Sequence, residues 1–351
     1  AVDVALGPTA AAIVNEARRR DIPAIRLDTH SLVQLGWGKY QQRIRASVSG
    51  KTSNIAVETA SDKELTIKLL GDVGIPVPRH IVVRSADEAV AEKLGYPLVT
   101  KPLDVSHGRG VSIRLMSAEE VRRGYEVASQ FTRSVIVETF LEGHDFRVLV
   151  IDGKVVAVAE RVPAHVVGDG VHTIGELVEI VNRDPRRGIG HEKVLTRIKI
   201  GHQAHRLLEQ AGYTLDTVLP EGQVFYLAST ANLSTGGTAI DRTADIHYET
   251  REIARRAALV IGLDIAGIDI ITPDITQPLR EVGGGIVEVN AGPGFRMHLQ
   301  PSEGQPRNVA RPVIDMLFPP GSASRIPLVA ITGTNGKTTT ARMVAHILKM
   351  N

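Results

Sequence analysis

The chain has 351 residues, too many for one ordinary hydrophobic core, so two or three units are expected. With 41 Lys and Arg against 39 Asp and Glu, and no polybasic run, nothing points to a nucleic-acid partner. The lack of cysteine excludes a disulfide scaffold and thiol catalysis and fits a reducing, cytoplasmic setting; no apolar run is long enough for a membrane span.

Residues 1–60 read as the end of a small α/β unit. Thr9 to Arg20 is a helix with Ala12, Ile13 and Ala17 on one side, and Arg18-Arg19-Arg20 placed where positive charge suits the helix dipole. Pro23 to Leu27 is a short strand, and Leu35 to Glu58 carries the single Trp and a basic cluster of Lys39, Arg43 and Arg45. That cluster is a solvated face or a wall toward an anionic ligand. The missing initiator Met and a start inside an ordered-looking unit read as a piece of a longer protein.

A helix follows, with Ser61 and Glu64 spaced as a capping box and Leu65, Leu69 and Leu70 as its apolar face; Lys63 and Lys68 lie on it. Tyr96 to Lys101 is a strand ending in lysine. The loop after it, Ser106-His107-Gly108-Arg109-Gly110, can present backbone N–H groups and cations to phosphate oxygens. Val111–Leu115 is the next strand. Ser117 and Glu120 cap a helix through about Gln130, and Ser134–Glu138 is a strand ending in a carboxylate. Phe146–Ile151 and Lys154–Glu160 form a hairpin about Asp152-Gly153, with Arg147 and Arg161 near its outer end.

Residues 161–225 form an irregular insertion with one capping-box helix (Thr173, Glu176) and a second helix from His202 to Ala211. Ala231 to Thr243, ANLSTGGTAIDRT, is a loop rich in small hydrogen-bonding groups, and Tyr248–Leu263 is a long helix. Ile265–Thr272 and Gly285–Asn290 then read as an antiparallel pair. Glu288 and Asn290 share one strand face, and Asp269 sits among isoleucines. These oxygen donors suit Mg²⁺; the other reading is a hydrogen-bonded polar cluster. After a Pro-Pro-Gly-Ser linker at 319–322, Ile326–Ile331 is a buried-type strand. Gly333-Thr334-Asn335-Gly336-Lys337-Thr338-Thr339 then opens a helix, giving a variant phosphate loop with Ile331 where the usual first Gly stands.

Together these motifs resemble two families. Lys101, the loop through Gly110, the segment Glu138–Leu141 and the trio Asp269, Glu288 and Asn290 are similar to the ATP-grasp ligases, and ITGTNGKTTT is similar to the nucleotide loop of Mur-type peptide ligases. Their combination, with THSLVQLGWGKYQQRI, ANLSTGGTAIDRT and EVNAGPGFRMHLQPSEGQPRNVARPV, resembles the cyanophycin synthetase family.

The resemblance implies an α+β chain. The end of a pre-ATP-grasp region (1–60) precedes an ATP-grasp domain of two α/β subdomains clamping ATP (61–318). A linker (319–325) and a truncated Mur-like P-loop unit (326–351) follow. It implies ATP and Mg²⁺ as cofactors, and Asp, Arg and a cyanophycin primer as substrates of a cytoplasmic, homo-oligomeric ligase. In that scheme Lys101 and Lys68 contact phosphates, and His107 and Arg109 close over the acyl phosphate with Ser106, Gly108 and Gly110. Glu138, Phe140 and Leu141 hold adenine, Asp145 holds ribose, and Asp269, Glu288 and Asn290 hold metal. Arg296 grips a substrate carboxylate, with Arg147, Arg161 and Ser234–Gly237 as lesser candidates. Val105-Ser106 stand where the family loop has Gly-Asn, and Ala228 where a basic residue is frequent. Alternatives are a dipeptide- or glutathione-type ligase, a dipeptide-polymerising relative, or an inactive polymer-binding segment.

Overall fold

The computed structural model describes residues 5–91, 94–103, 110–189 and 193–350. Helix α1 (Pro8–Arg19) leads into a four-stranded antiparallel sheet in the order β1 (Ala24–Arg26), β2 (Leu32–Leu35), β3 (Gln42–Arg45) and β4 (Val48–Ser49). Two consecutive helices follow, α2 (Asn54–Ser61) and α3 (Lys63–Asp72). The expected Ser61–Glu64 box is not the start of a helix. Ser61 ends α2 and bonds back to the Val57 carbonyl, while the Asp62 carboxylate accepts the Leu65 N–H at 3.0 Å and caps α3. Asp is as good an N-cap as Ser, so spacing alone chose the wrong residue by one.

A second four-stranded antiparallel sheet runs β5-β8-β6-β7, with β5 at His80–Val83, β6 at Leu98–Pro102, β7 at Ser112–Leu115 and β8 at Val135–Thr139. Helices α4 (Ala86–Ala91) and α5 (Ala118–Ser129) pack on this unit, and Val83, Leu98, Leu115, Val121, Val135 and Val137 make its core. Gly124 of α5 lies so close to β6 that a Cβ there would stand 2.5 Å from Thr100 Oγ1.

The central sheet is antiparallel throughout, in the order β15-β10-β9-β16-β17. Strands β9 (His144–Ile151) and β10 (Lys154–Val162) turn at Asp152-Gly153, both with positive φ, as a two-residue hairpin loop requires. Between β10 and β15 (Thr238–Asp241) lies the insertion. It pairs β11 (His165–Val167) with β14 (Val224–Tyr226) and β12 (Arg187–Gly188) with β13 (Leu195–Thr196). Its helices are α6 (Ile174–Asn182), with the full Thr173–Glu176 capping box, and α7 (His202–Gln210). The insertion has its own core about Val166, Ile174, Val178, Leu208 and Leu219. Helix α8 (Tyr248–Ile261) precedes β16 (Ile265–Thr272), a short α9 (Leu279–Val282), β17 (Gly285–Ala291), α10 (Arg296–Leu299) and α11 (Ala310–Leu317).

Strand β9 explains why this sheet is covered on both sides. Phe146, Val148 and Val150 join the α8 side chains Ile253, Ala254 and Ala257 in one core. On the other face, Leu149 and Ile151 meet Ile13, Leu35 and Ile44 of the N-terminal unit and Val313 and Ile314 of α11. The N-terminal unit therefore shares a core with the central sheet across residue 60. That second face has an apolar end and a charged end. Asp145 and Arg147 continue it past Leu149, and the apolar cover stops there.

The expected strand Ile326–Ile331 is absent. Residues 323–332 have no ladder partner, and helix α12 (Lys337–Met350) buries none of its residues. A strand needs a neighbour for its N–H and C=O groups, and none of the described residues supplies one. No helix among the described residues is long and apolar enough to cross a membrane.

Candidate active site

Four neighbouring strands bring a set of charges to the open end of the second face. Registry places Asp269 of β16 opposite Arg147 of β9 on one side and Glu288 of β17 on the other; Asp145 of β9 lies opposite Arg161 of β10. A bulge in β17 makes this possible. Ile270 pairs with Ile286 while Asp269 pairs with Glu288, so Val287 is the extra residue. Strict alternation would put Ile286 on the face of Glu288; the bulge sends Ile286 into the α8 core and turns Glu288 toward Asp269.

Asp269 is buried, yet it is not a lone charge. Arg147 grips it with two hydrogen bonds, Nε to Oδ1 and Nη2 to Oδ2 at 2.9 Å, and Arg161 Nη2 lies 3.0 Å from Oδ2. Arg161 also donates to Asp145 Oδ1 from Nε at 2.9 Å and Nη2 at 2.5 Å. The Asn290 amide stands 3.4 Å from both Asp269 Oδ2 and Glu288 Oε2. Burial pushes the Asp269 carboxyl up, but Arg147 and then Arg161 more than offset it and hold it below the ordinary range. Asp145 goes the other way, because burial and the Asp269 charge outweigh Arg161. Arg161 is held protonated beyond its ordinary value by the two aspartates, despite its burial.

The space for Arg147 is made by Gly267, two residues before Asp269. A Cβ there would meet Pro293 Cβ at 2.8 Å and Arg147 Cδ at 3.0 Å. Glu288 has no cationic partner among the described residues. Two carboxylates and an amide oxygen on adjacent strands fit a hard, oxygen-seeking cation. Glu288 is available to one directly, Asn290 once its amide turns its oxygen inward, and Asp269 once a guanidinium shifts.

A second pair stands on the neighbouring sheet. Lys101 Nζ of β6 is 2.7 Å from Glu138 Oε2 of β8, and both side chains are largely buried. The approach is not aligned as a hydrogen bond, so Glu138 Oε2 has no hydrogen-bond donor among the described residues. The Glu138 carboxylate thus faces Lys101. Lys68 does not join this pair. Its Nζ is 2.6 Å from Asp72 one turn along α3, with the side chain 63% exposed. The lysine of α3 that turns toward β6 is Lys63, in the first turn, with Nζ 3.5 Å from the Pro102 carbonyl. Nothing in the spacing of the two lysines distinguished them; Lys63 turns toward the Pro102 carbonyl and Lys68 toward Asp72.

Ser106, His107, Gly108 and Arg109 lie outside the described residues; Gly110 is in a turn with φ +70°, against Pro102 and Phe131. Phe140 and Leu141 are half-buried beyond β8, the Phe140 N–H bonded to the Pro97 carbonyl. Arg296, at the start of α10, points away from β17 into the insertion. Its Nη1 is 3.4 Å from the Lys193 carbonyl and Nη2 3.4 Å from Thr196 Oγ1, and burial lowers its pKa. Ser234 and Thr235 lie in a short 3-10 turn capped by Asn232, and Gly236 offers its carbonyl to Arg187 at 2.9 Å. In the C-terminal loop, Gly333, Thr334, Asn335, Gly336, Thr338 and Thr339 are exposed. The Lys337 ammonium folds onto the Gly333 and Thr334 carbonyls at 2.5 and 3.2 Å.

His298, on α10, had no sequence signal. It is 2% exposed and neither ring nitrogen has a hydrogen-bond partner among the described residues. Burial, and next the charge of Arg147, hold its pKa down at about 3.

Residues 69–172 match the family model described as D-ala D-ala ligase C-terminus. Over 350 residues the chain is 56% identical to the cyanophycin synthetase of Trichormus variabilis, covering 99% of this chain and 39% of that protein. It is 34% identical over 281 residues to the glutathione biosynthesis bifunctional protein GshAB of Listeria innocua, covering 78% of this chain and 36% of that one. Among solved structures, the bifunctional glutathione synthetase of Pasteurella multocida superposes with a TM-score of 0.69 at 30% identity, over 90% of this chain and 43% of its own. The chain thus spans about two fifths of the cyanophycin synthetases it matches, 39% for that of Trichormus variabilis.

Proposed function

We propose, from the premise that this chain has the ATP-grasp ligase fold and is similar to cyanophycin synthetases along 99% of its length, that it is the aspartate-adding ligase of cyanophycin synthesis. The observation that carries this reading is the charged end of the central sheet. Asp145, Arg147, Arg161, Asp269, Glu288 and Asn290 gather where the apolar cover ends, with the Lys101–Glu138 pair on the next sheet.

The substrate carboxylate, at the end of a primer peptide, attacks the γ-phosphorus of ATP. A bond forms to the acyl oxygen and ADP leaves. The amine of an incoming Asp then adds to the acyl carbon, phosphate departs with the electron pair, the nitrogen loses a proton and an amide remains. Phosphoryl transfer of this kind needs charge control more than covalent help. Lys101, and Lys63 in place of Lys68, neutralise phosphate oxygens. Asp269, Glu288 and Asn290 would hold Mg²⁺, which would draw charge off the phosphates. Arg161, already buried beside Asp269, presents planar donors to the acyl phosphate or the entering carboxylate, while Arg147 holds Asp269 until the metal takes it. His107 and Arg109 close the loop over the site, and Glu138, Phe140, Leu141 and Asp145 face the nucleoside. Arg296 orients the insertion side of the cleft.

The exposed loop Gly333–Thr339 is read as the start of a second nucleotide site, serving addition of Arg to the Asp side chain. A cytoplasmic, homo-oligomeric enzyme belongs to the same proposal, supported by the likeness alone. A glutathione-type ligase is the weaker reading, since identity falls from 56% to 34%.

The test is ATP- and primer-dependent incorporation of labelled Asp by the whole chain, with Lys101→Ala alongside. The substitution is expected to abolish incorporation. Turnover retained in Lys101→Ala counts against the site. Primer binding without any turnover in the unsubstituted chain favours the inactive, polymer-binding alternative.

A further inference from the structure

Asp269 is crowded. Its Oδ2 faces Arg147 Nη2 at 2.9 Å, Arg161 Nη2 at 3.0 Å and Asn290 Nδ2 at 3.4 Å, and Oδ1 is taken by Arg147 Nε. A carboxylate oxygen has two lone pairs, so a cation arriving at this group displaces a donor. Arg161 retains Asp145, and Asn290 retains Glu288. Arg147 has no second hydrogen-bond acceptor among the described residues. A buried guanidinium left without an acceptor would oppose cation binding.

The helix that packs on the strand beside Arg147 carries one group that fits this need. Helix α10 packs over β10 and β15, and its Met297 rests on Ala159, the cross-strand neighbour of Arg147. Beside Met297 is His298, whose ring is buried with both nitrogens unpartnered among the described residues. Arg147 is the charge that acts most strongly on that ring, ahead of Asp241 and Arg161. Buried polar atoms without partners are rare, and such an atom calls for a partner in some other state of the molecule. A neutral imidazole offers one acceptor nitrogen and carries no charge to repel a guanidinium.

We propose that His298 is a positioning residue for Arg147, supplying the acceptor to which that guanidinium moves when Asp269 turns to a divalent cation. The inference rests on the metal-holding role proposed above for Asp269, Glu288 and Asn290. It makes His298 a group that stabilises the loaded site and does nothing for the empty one.

The experiment measures binding of Mn²⁺, by the loss of its free electron-spin-resonance signal, to the whole chain with the non-hydrolysable ATP analogue AMPPNP. It compares the unsubstituted chain with His298→Leu and His298→Gln. Residues that support metal ligands are worth roughly 10–100-fold in metal affinity, so His298→Leu is expected to weaken Mn²⁺ by at least about tenfold. The melting temperature of the empty protein should stay level or rise, since two unpartnered polar atoms are removed. His298→Gln keeps an acceptor and should restore most of the affinity. Equal Mn²⁺ affinity in His298→Leu overturns the inference and leaves the ligase reading standing. So does a loss of Mn²⁺ binding that merely tracks a fall in melting temperature, with no recovery in His298→Gln. Failure of the unsubstituted chain to bind Mn²⁺ with AMPPNP overturns the metal reading itself, and this inference with it.

Discussion

Burial of a neutral imidazole makes the fold acid-sensitive in a way that can be measured. The His298 ring is held at about 3 by burial and by Arg147, against 6.5 for the free side chain. Between those values the unfolded chain binds a proton at this position and the folded chain does not. Stability is therefore full above about pH 6.5 and falls as the pH drops toward 3, by about 1.4 kcal/mol per pH unit. From pH 7 to about pH 5, this single group costs about 2 kcal/mol, a large fraction of ordinary domain stability. His298→Leu removes the titration. Urea unfolding followed by far-UV circular dichroism at both pH values should show the unsubstituted chain losing about 2 kcal/mol more than the variant. An equal loss in the two proteins would refute the reasoning, because the ring would then be reaching a proton or a partner in the folded state.

Two further outcomes follow from the packing. Gly267→Ala puts a methyl 2.8 Å from Pro293 Cβ and 3.0 Å from Arg147 Cδ, so it should cost about 1–3 kcal/mol in urea unfolding and loosen Arg147 from Asp269. Asp264→Ala removes the carboxylate that accepts from Ser49 Oγ and Thr52 Oγ1, both at 2.6 Å, where the N-terminal sheet meets β16. Its cost should be about 2–4 kcal/mol, and hydrogen exchange should rise in β3 and β4 before it rises in β9.

The sequence carried most of the architecture because its signals were local. The Thr173–Glu176 box, the Asp152-Gly153 turn and the antiparallel pairing of β16 with β17 each depend on a few neighbouring residues, and each formed as expected. Asp269, Glu288 and Asn290 were legible as a set because acidic groups among isoleucines need partners. What those partners are was not legible. Arg147 and Arg161 looked like exposed hairpin ends, and only registry across β10, β9 and β16 turns them onto Asp269. The bulge at Val287 leaves no mark in the sequence, though it decides which way Glu288 faces. Lys63 and Lys68 share α3, and only the packing of that helix beside Pro102 shows which of them turns toward β6. The 326–331 run is strand-like in composition, but a strand is made by a ladder and composition cannot supply one.

The proposed ligase chemistry depends most on a cation held between β16 and β17. Crystals grown with Mn²⁺ and AMPPNP, with data collected at the manganese absorption edge, locate it directly. The prediction is an anomalous peak within coordination distance, about 2.0–2.4 Å, of carboxylate oxygens of Glu288 and Asp269 and the Asn290 side-chain oxygen, beside phosphate oxygens. A peak away from these residues, or a bound nucleotide whose metal leaves Glu288 and Asn290 untouched, would contradict it.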